Sequence, residues 1–143
     1  MSGRKIKVAI TLDDNGGLMF NKRRQSRDKR LIADLCAKTT GFIYISPYSK
    51  LLFEEYQDRI KIADNPLVEC PDGSTAFVEG QTLGEYIDDI DELLVYKWNR
   101  LYPSDIKIDI DIKSEGFKMH AKYEFVGNSH DKITKEVYRK LCE

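Results

Sequence analysis

The sequence predicts an α/β fold: a single twisted, mixed sheet, mostly parallel, with antiparallel strands at its C-terminal end and helices on both faces. Three observations carry this. Residues 75–98 read as a short apolar strand, a turn at Gly80, an amphipathic stretch and a second apolar strand ending near Trp98. Apolar runs of four or five residues bounded by turn signals suit buried parallel strands. Strand and helix patterns alternate through the N-terminal half, which calls for crossover connections and parallel neighbours. The last third instead alternates every second residue, the pattern of antiparallel partners with one covered face.

Length and charge limit the function classes. A chain of 143 residues suffices for one domain, residues 1–143, with a core that needs no metal or disulfide. Its 23 basic and 24 acidic residues nearly cancel, so no whole-molecule field draws it to nucleic acid or membrane. Cys36, Cys70 and Cys142 are widely spaced and lack metal-ligand spacing, and read as reduced thiols. Residues 1–5 run directly into a strand pattern, and no apolar run approaches a membrane span. The expectation is a soluble, cytoplasmic protein without membrane contact.

In chain order, Ile6, Val8, Ile10 and Leu12 mark a first strand, ended by the turn Asp13-Asp14-Asn15-Gly16-Gly17. The most basic run, residues 22–30, leads into a helix with Leu31, Ile32, Leu35 and Cys36 on one face and Ser26 as its expected N-cap. Residues 42–45 form a central strand. A short helix over residues 50–56 follows, with Ser49 as its cap, and then a strand at residues 59–63. Residues 66–73 read as loop. Leu83, Tyr86, Ile87 and Ile90 recur at helical spacing, so a helix covers the sheet before the strand of residues 92–96. Ile106, Ile108, Ile110 and Ile112 alternate with charged residues, as in a half-buried strand or an extended edge segment. Residues 117–125 alternate again and residues 127–131 turn. The segment 132–141 fits strand or helix from periodicity alone, since Ile133, Val137 and Leu141 share a face in either period.

Several of these stretches resemble the dihydrofolate reductase family. Phe77-Val78-Glu79-Gly80-Gln81-Thr82-Leu83-Gly84-Glu85-Tyr86 is similar to the strand, glycine pair and helix beside its nicotinamide cofactor. Residues 92–96 look like the strand that follows, and residues 128–131 like the start of the final hairpin, which favours strand for the C-terminal segment. Residues 8–17 resemble the family's first strand and mobile loop, and residues 45–56 its first phosphate-binding turn. The resemblance implies a role for Asp28 as the pterin-binding carboxylate, and NADPH as cofactor. Four departures stand against activity, one being a middle too short for the strand and loop that hold the cofactor's adenosine end. Glu79-Gly80 replaces the glycine pair, Lys22-Arg23-Arg24-Gln25 stands where Pro-Trp is usual, and Ser46-Pro47-Tyr48-Ser49 replaces Gly-Arg-x-Thr. A carboxylate at position 79 is either a cap on the adjoining helix or an obstacle to a dinucleotide.

The leading expectation is therefore a dihydrofolate-reductase-like domain without reductase activity that binds a phosphate-containing or nucleotide ligand through Ser46, Ser49, Gly80, Gln81 and Thr82. A helix N-terminus just past a glycine supplies the N–H groups such a ligand needs. One alternative is binding of nucleic acid or an acidic protein through Lys22, Arg23, Arg24, Arg27 and Lys29. Another is an active NADPH-dependent pterin reductase with Asp28 as its catalytic acid. His120 reads as a surface strand residue and His130 as a turn residue, with a catalytic histidine pair weighed and disfavoured. The carboxylates Glu85, Asp88, Asp89, Asp91 and Glu92 read as a solvated face, and no metal site is expected.

Overall fold

The computed structural model describes residues 4–141; Cys142 lies outside them, as do Met1, Ser2 and Gly3. The strands are β1 (Ile6–Leu12), β2 (Gly17–Phe20), β3 (Arg23–Arg24), β4 (Ile43–Ile45), β5 (Ile60–Ile62), β6 (Thr75–Phe77), β7 (Ile90–Lys97), β8 (Ile106–Lys107), β9 (Phe117–Phe125) and β10 (Ile133–Lys140). Two α-helices, α1 (Lys29–Lys38) and α2 (Pro66–Glu69), and two 3₁₀ segments, Pro47–Arg59 and Gly84–Asp89, connect them.

Seven strands form the main sheet in the order β5-β4-β6-β1-β7-β10-β9. The first five run parallel; β10 joins β7 antiparallel, and β9 closes the edge antiparallel to β10. The mixed sheet read from the sequence is the one observed, and residues 133–140 are strand. Side chains alternate between two cores. Ile6, Val8, Ile10 and Leu12 of β1, with Leu93 and Val95 of β7, pack on one face against Leu67, Leu83 and the half-buried Ile106, Ile108, Ile110 and Ile112. Ala9, Phe77, Leu94 and Tyr96 pack on the other against Leu31, Ile32, Leu35 and Phe53, from α1 and the first 3₁₀ segment. A one-residue shift of β1 or β7 would exchange these sets, so the alternation pins the register.

Four local expectations are corrected. Residues 83–90 do not form an α-helix: only a 3₁₀ stretch, Gly84–Asp89, is present, with Leu83 and Ile90 buried at its ends. So short a piece cannot offset helix nucleation, and its acidic C-terminal end opposes the dipole. Asp28, not Ser26, caps α1, accepting from the Arg30 N–H at 2.9 Å. Ser49 caps nothing; the 3₁₀ segment begins earlier, at Pro47, and kinks at Phe53 and Tyr56. Residues 66–69, read as loop, make one helical turn started by Pro66.

Residues 17–24 add a hairpin that the sequence reading had not resolved into strands. β2 and β3 meet across the two-residue turn Asn21-Lys22, both at positive φ (51° and 60°), and β8 pairs with the other side of β2. This small sheet lies over the carboxyl ends of the parallel strands. Asp13 anchors its start, accepting from the N–H groups of Asn15, Gly17 and Tyr102 and from the Gln25 amide. Burial alone would raise the Asp13 carboxyl; those hydrogen bonds overrule it and hold it below the ordinary carboxylate range.

Candidate functional site

From β1 the chain crosses to β4, β5 and β6 on one side and then to β7 on the other. In an open α/β sheet, such a reversal leaves a crevice at the carboxyl ends of the flanking strands, the usual ligand position. Here those ends are the regions of Leu12, Phe77 and Lys97. The residues around them form three groups.

The first group centres on Glu79, just past β6. Its carboxylate is only 5% exposed and receives both Arg24 Nε (2.8 Å) and Arg24 Nη2 (3.0 Å), a two-point clamp, and the buried Ser49 hydroxyl at 2.7 Å. The Arg24 guanidinium also stacks 4.4 Å from the Tyr48 ring centroid and donates to the Tyr48 carbonyl. Beside this clamp Gly80 adopts φ +72°, and Met19 of β2 rests directly on it, so that any side chain there would collide with the Met19 sulfur.

The second group is the start of the Gly84–Asp89 segment. Its first free N–H groups, on Leu83 and Gly84, donate to the two oxygens of Asp109 at 2.8 and 2.9 Å. Glu79 is thus not the cap of this turn; the carboxylate that caps it comes from the isoleucine-rich strap 25 residues downstream. Asp109→Ala is expected to cost about 0.5–2 kcal/mol, the usual value of a carboxylate cap, readable in urea unfolding.

The third group surrounds Asp28, which is 3% exposed. One carboxylate oxygen accepts from the N–H groups of Arg30 (2.9 Å) and Asn128 (2.8 Å), the other from the Ser129 N–H (2.8 Å) and His130 Nδ1 (2.9 Å). Burial by itself would raise this carboxyl, but the bonds from Asn128, His130, Ser129 and Arg30 bring it down to about 2. The turn can wrap so closely because residue 127 is glycine: a Cβ there would strike Asp28 Oδ2. His130, its side chain 2% exposed, stacks on Trp98 with centroids 4.6 Å apart, and its Nε2 meets Ser26 Oγ and the Tyr102 hydroxyl, each at 3.0 Å.

The first and third groups border two spaces. A cleft of about 390 Å³ runs between α1 and the Pro47–Arg59 segment, with Arg27, Lys29 and Asn128 along one side, Glu54 and Glu55 along another, and Ile32, Leu52 and Tyr56 among its apolar lining. Beneath it lies a cavity of only about 10 Å³, enclosed by residues including Thr11, Ser26, Phe77, Glu79 and Trp98. That is about the space of one water molecule.

The expected site residues are distributed as follows. Ser49 is committed to Glu79, Gly80 lies under Met19, and the Gln81 amide donates to Asn65 at 2.8 Å. Ser46 is half-buried without a side-chain cap bond, and Thr82 is exposed. Of the basic residues, Lys22, Arg23, Arg27 and Lys29 face solvent whereas Arg24 points inward. His120 is exposed on β9. Sequence reasoning missed that His130 is buried against Asp28, that Arg24 pairs with Glu79, and that Asp109 caps a turn. Asp109 sits in an alternating charged set with Lys107 and Asp111 that looks like a solvated edge, and nothing in the pattern singles it out.

A nicotinamide dinucleotide, which the resemblance implied, does not fit these residues. Several donors that would take its phosphates already hold the chain's own carboxylates: Ser49 holds Glu79, and the N–H groups of residues 83 and 84 hold Asp109. Met19 covers the glycine over which its backbone would pass.

No protein-family model matches the chain, and no curated protein sequence does. Among solved structures, it is similar to dihydrofolate reductase from Enterococcus faecalis, complexed with NADP(H) and RAB-propyl, at a TM-score of 0.68 and 12% identity over 96% of both chains. The strand order, the antiparallel C-terminal pair and that superposition together make this a dihydrofolate-reductase-like fold.

Proposed function

We propose that this chain is a small-molecule-binding domain on a dihydrofolate-reductase-like scaffold that does not carry out nicotinamide-dependent reduction. The observation that carries the reading is the Glu79 carboxylate, locked by Arg24 and Ser49 at the end of β6. It puts a buried negative charge where a dinucleotide's phosphates would lie. A charge so fully paired cannot step aside without leaving Arg24 and Ser49 unsatisfied. The cleft between α1 and the Pro47–Arg59 segment remains open. Arg27 and Lys29 on its rim suit a phosphate, and Ile32, Leu52 and Tyr56 suit a flat ring. Its volume corresponds to a mononucleotide-sized ligand rather than a dinucleotide. Two buried free cysteines, Cys36 and Cys70, with thiols raised by burial to about 11, accord with a reducing compartment such as the cytoplasm.

A thermal-shift panel of mononucleotides, folates, NADPH and short oligonucleotides tests this. A mononucleotide is expected to raise Tm, with an effect lost in Arg27→Ala/Lys29→Ala, while NADPH produces none. A shift with NADPH, or NADPH oxidation in the presence of dihydrofolate, would restore the reductase reading. The panel also separates the basic-segment alternative. Binding of an oligonucleotide through Lys22, Arg23, Arg27 and Lys29 would weaken with salt by roughly 0.9 log unit per log unit for each duplex phosphate neutralised. Arg24, turned inward onto Glu79, is not available to it. Among the described residues no helix is long and apolar enough to cross a membrane.

A further inference from the structure

Asp28, His130 and Ser26 lie in a line whose geometry does more than hold a turn. The Asp28 carboxylate is a pure acceptor, so the 2.9 Å contact places the proton of a neutral imidazole on Nδ1. In that tautomer Nε2 carries the lone pair, and the Ser26 and Tyr102 hydroxyls, each 3.0 Å away, compete to donate to it. Three backbone N–H groups fix Asp28, and the Trp98 stack fixes the imidazole plane. Nucleophile to base and base to orienting carboxylate are thus both within hydrogen-bond reach.

Two further observations point to a reacting group beside Ser26. Ser26 and Trp98 line the same 10 Å³ cavity, which adjoins the larger cleft and shares Arg27, Asp28, Ile32 and Leu52 with it. Trp98 is 2% exposed, yet its indole N–H has no acceptor, a cost native proteins seldom leave uncompensated. An oxygen entering the cavity would supply the missing partner. The N–H of Arg27, directly after Ser26, also makes no hydrogen bond among the described residues.

We propose that Ser26, His130 and Asp28 form a nucleophilic triad that hydrolyses a small carboxylic ester bearing an anionic group. Ser26 Oγ bonds to the ester carbonyl carbon as its proton passes to His130 Nε2. The tetrahedral adduct, its oxygen taking the N–H groups of Trp98 and Arg27, collapses by breaking the C–O bond to the alcohol, which leaves with the proton from Nε2. Water then repeats the sequence on the acyl-Ser26 bond and releases the carboxylic acid. Asp28 remains ionised and acts as a positioning residue. The small cavity has room for about one oxygen, so only the carbonyl oxygen enters it and the rest of the ester lies in the adjoining cleft, where Arg27 and Lys29 at the rim draw in the anionic group. The tiny cavity also means that the carbonyl must displace the water that space would hold. The Tyr102 hydroxyl shares Nε2 with Ser26 and so restrains the base.

The test combines active-site labelling with turnover on the full chain. A fluorophosphonate probe is expected to phosphonylate Ser26, mapped by peptide mass spectrometry, and 4-nitrophenyl acetate is expected to be hydrolysed with a burst of one equivalent. Both are lost in Ser26→Ala and reduced at least about 100-fold in His130→Gln. Tyr102→Phe, which frees Nε2, should accelerate both. An adduct at other residues only, no adduct, or labelling of Ser26 that is unchanged in folded His130→Gln overturns the proposal. If His130→Gln does not fold, Ser26→Cys replaces it. Its thiol should react with iodoacetamide at least about 10-fold faster than that of an exposed Ser114→Cys control, because the imidazole takes its proton. An equal rate overturns the triad. None of these readouts depends on the cleft's ligand, so their failure and that of a mononucleotide to bind are separate results.

Discussion

Asp28→Asn is expected to lower the unfolding free energy by about 3–5 kcal/mol, because it leaves buried donors facing a group that can no longer accept from all of them. The carboxylate takes two donors on one oxygen and two or more on the other. An asparagine has one acceptor oxygen, and its NH₂ would confront either the Arg30 and Asn128 N–H pair or the Ser129 and His130 pair. At roughly 2–4 °C per kcal/mol, Tm should fall by about 6–20 °C. Acid behaviour provides a second signature. The folded carboxyl titrates at about 2, below its ordinary 3.8, so its stabilisation is complete above the unfolded value. It is lost as pH falls through about 2, and amounts to about 2 kcal/mol. The gap between wild type and Asp28→Asn in urea titrations should therefore narrow from pH 5 to pH 2. A cost below about 1 kcal/mol at neutral pH would mean that the turn at 127–130 does not depend on the charge.

Glu79→Gln should cost a similar amount, about 3–5 kcal/mol, by leaving Arg24 as a part-buried, poorly paired cation and weakening the acceptor for the Ser49 hydroxyl. The paired replacement Arg24→Met/Glu79→Met is expected to recover most of that loss, because the desolvation cost of both charges disappears with them. Chemical denaturation of Arg24→Met, Glu79→Met and the double variant closes a double-mutant cycle that isolates the coupling. If the singles simply add, the clamp contributes nothing beyond its separate side chains. Glu79→Gly alone is not expected to create NADPH binding, since Met19 still covers Gly80 and Asp109 still holds the N–H groups of residues 83 and 84. Only variants that clear all three would test whether the scaffold can still accept a dinucleotide.

Much of the architecture was legible in the sequence. Apolar patterning is a local property: the alternation in β1 and the unbroken apolar run in β7 mark buried strands, and β9 alternates although Met119 and Tyr123 of its apolar set stay exposed. These patterns gave the mixed sheet, the order of its strands along the chain and the N-terminal helix. The isoleucine alternation at 106–112 allowed a half-buried strand or an extended edge segment; only Ile106–Lys107 form a strand, while all four isoleucines are half-buried against the core. Where segments were short, the periodicity was compatible with more than one state. The stretch 83–90 has helical spacing but too few residues to sustain a helix, and 133–140 becomes strand because β7 and β9 flank it on both sides.

The sequence by itself also marked Glu79 as the residue at odds with a dinucleotide site, since a carboxylate cannot share a turn with a phosphate. What the carboxylate does there was decided only by tertiary structure. Arg24 lies 55 residues away and approaches it because the hairpin of β2 and β3 folds across the ends of the parallel strands. Asp28 stood out through the family resemblance, but its partners Asn128, Ser129 and His130 come from about 100 residues downstream. Asp109 looked like a solvated edge residue until the strap laid it on the Leu83 and Gly84 N–H groups. Each of these roles depends on a long-range approach of a few ångströms between polar atoms. Residue type and spacing carry no record of such an approach, whereas apolar burial leaves its period in the chain.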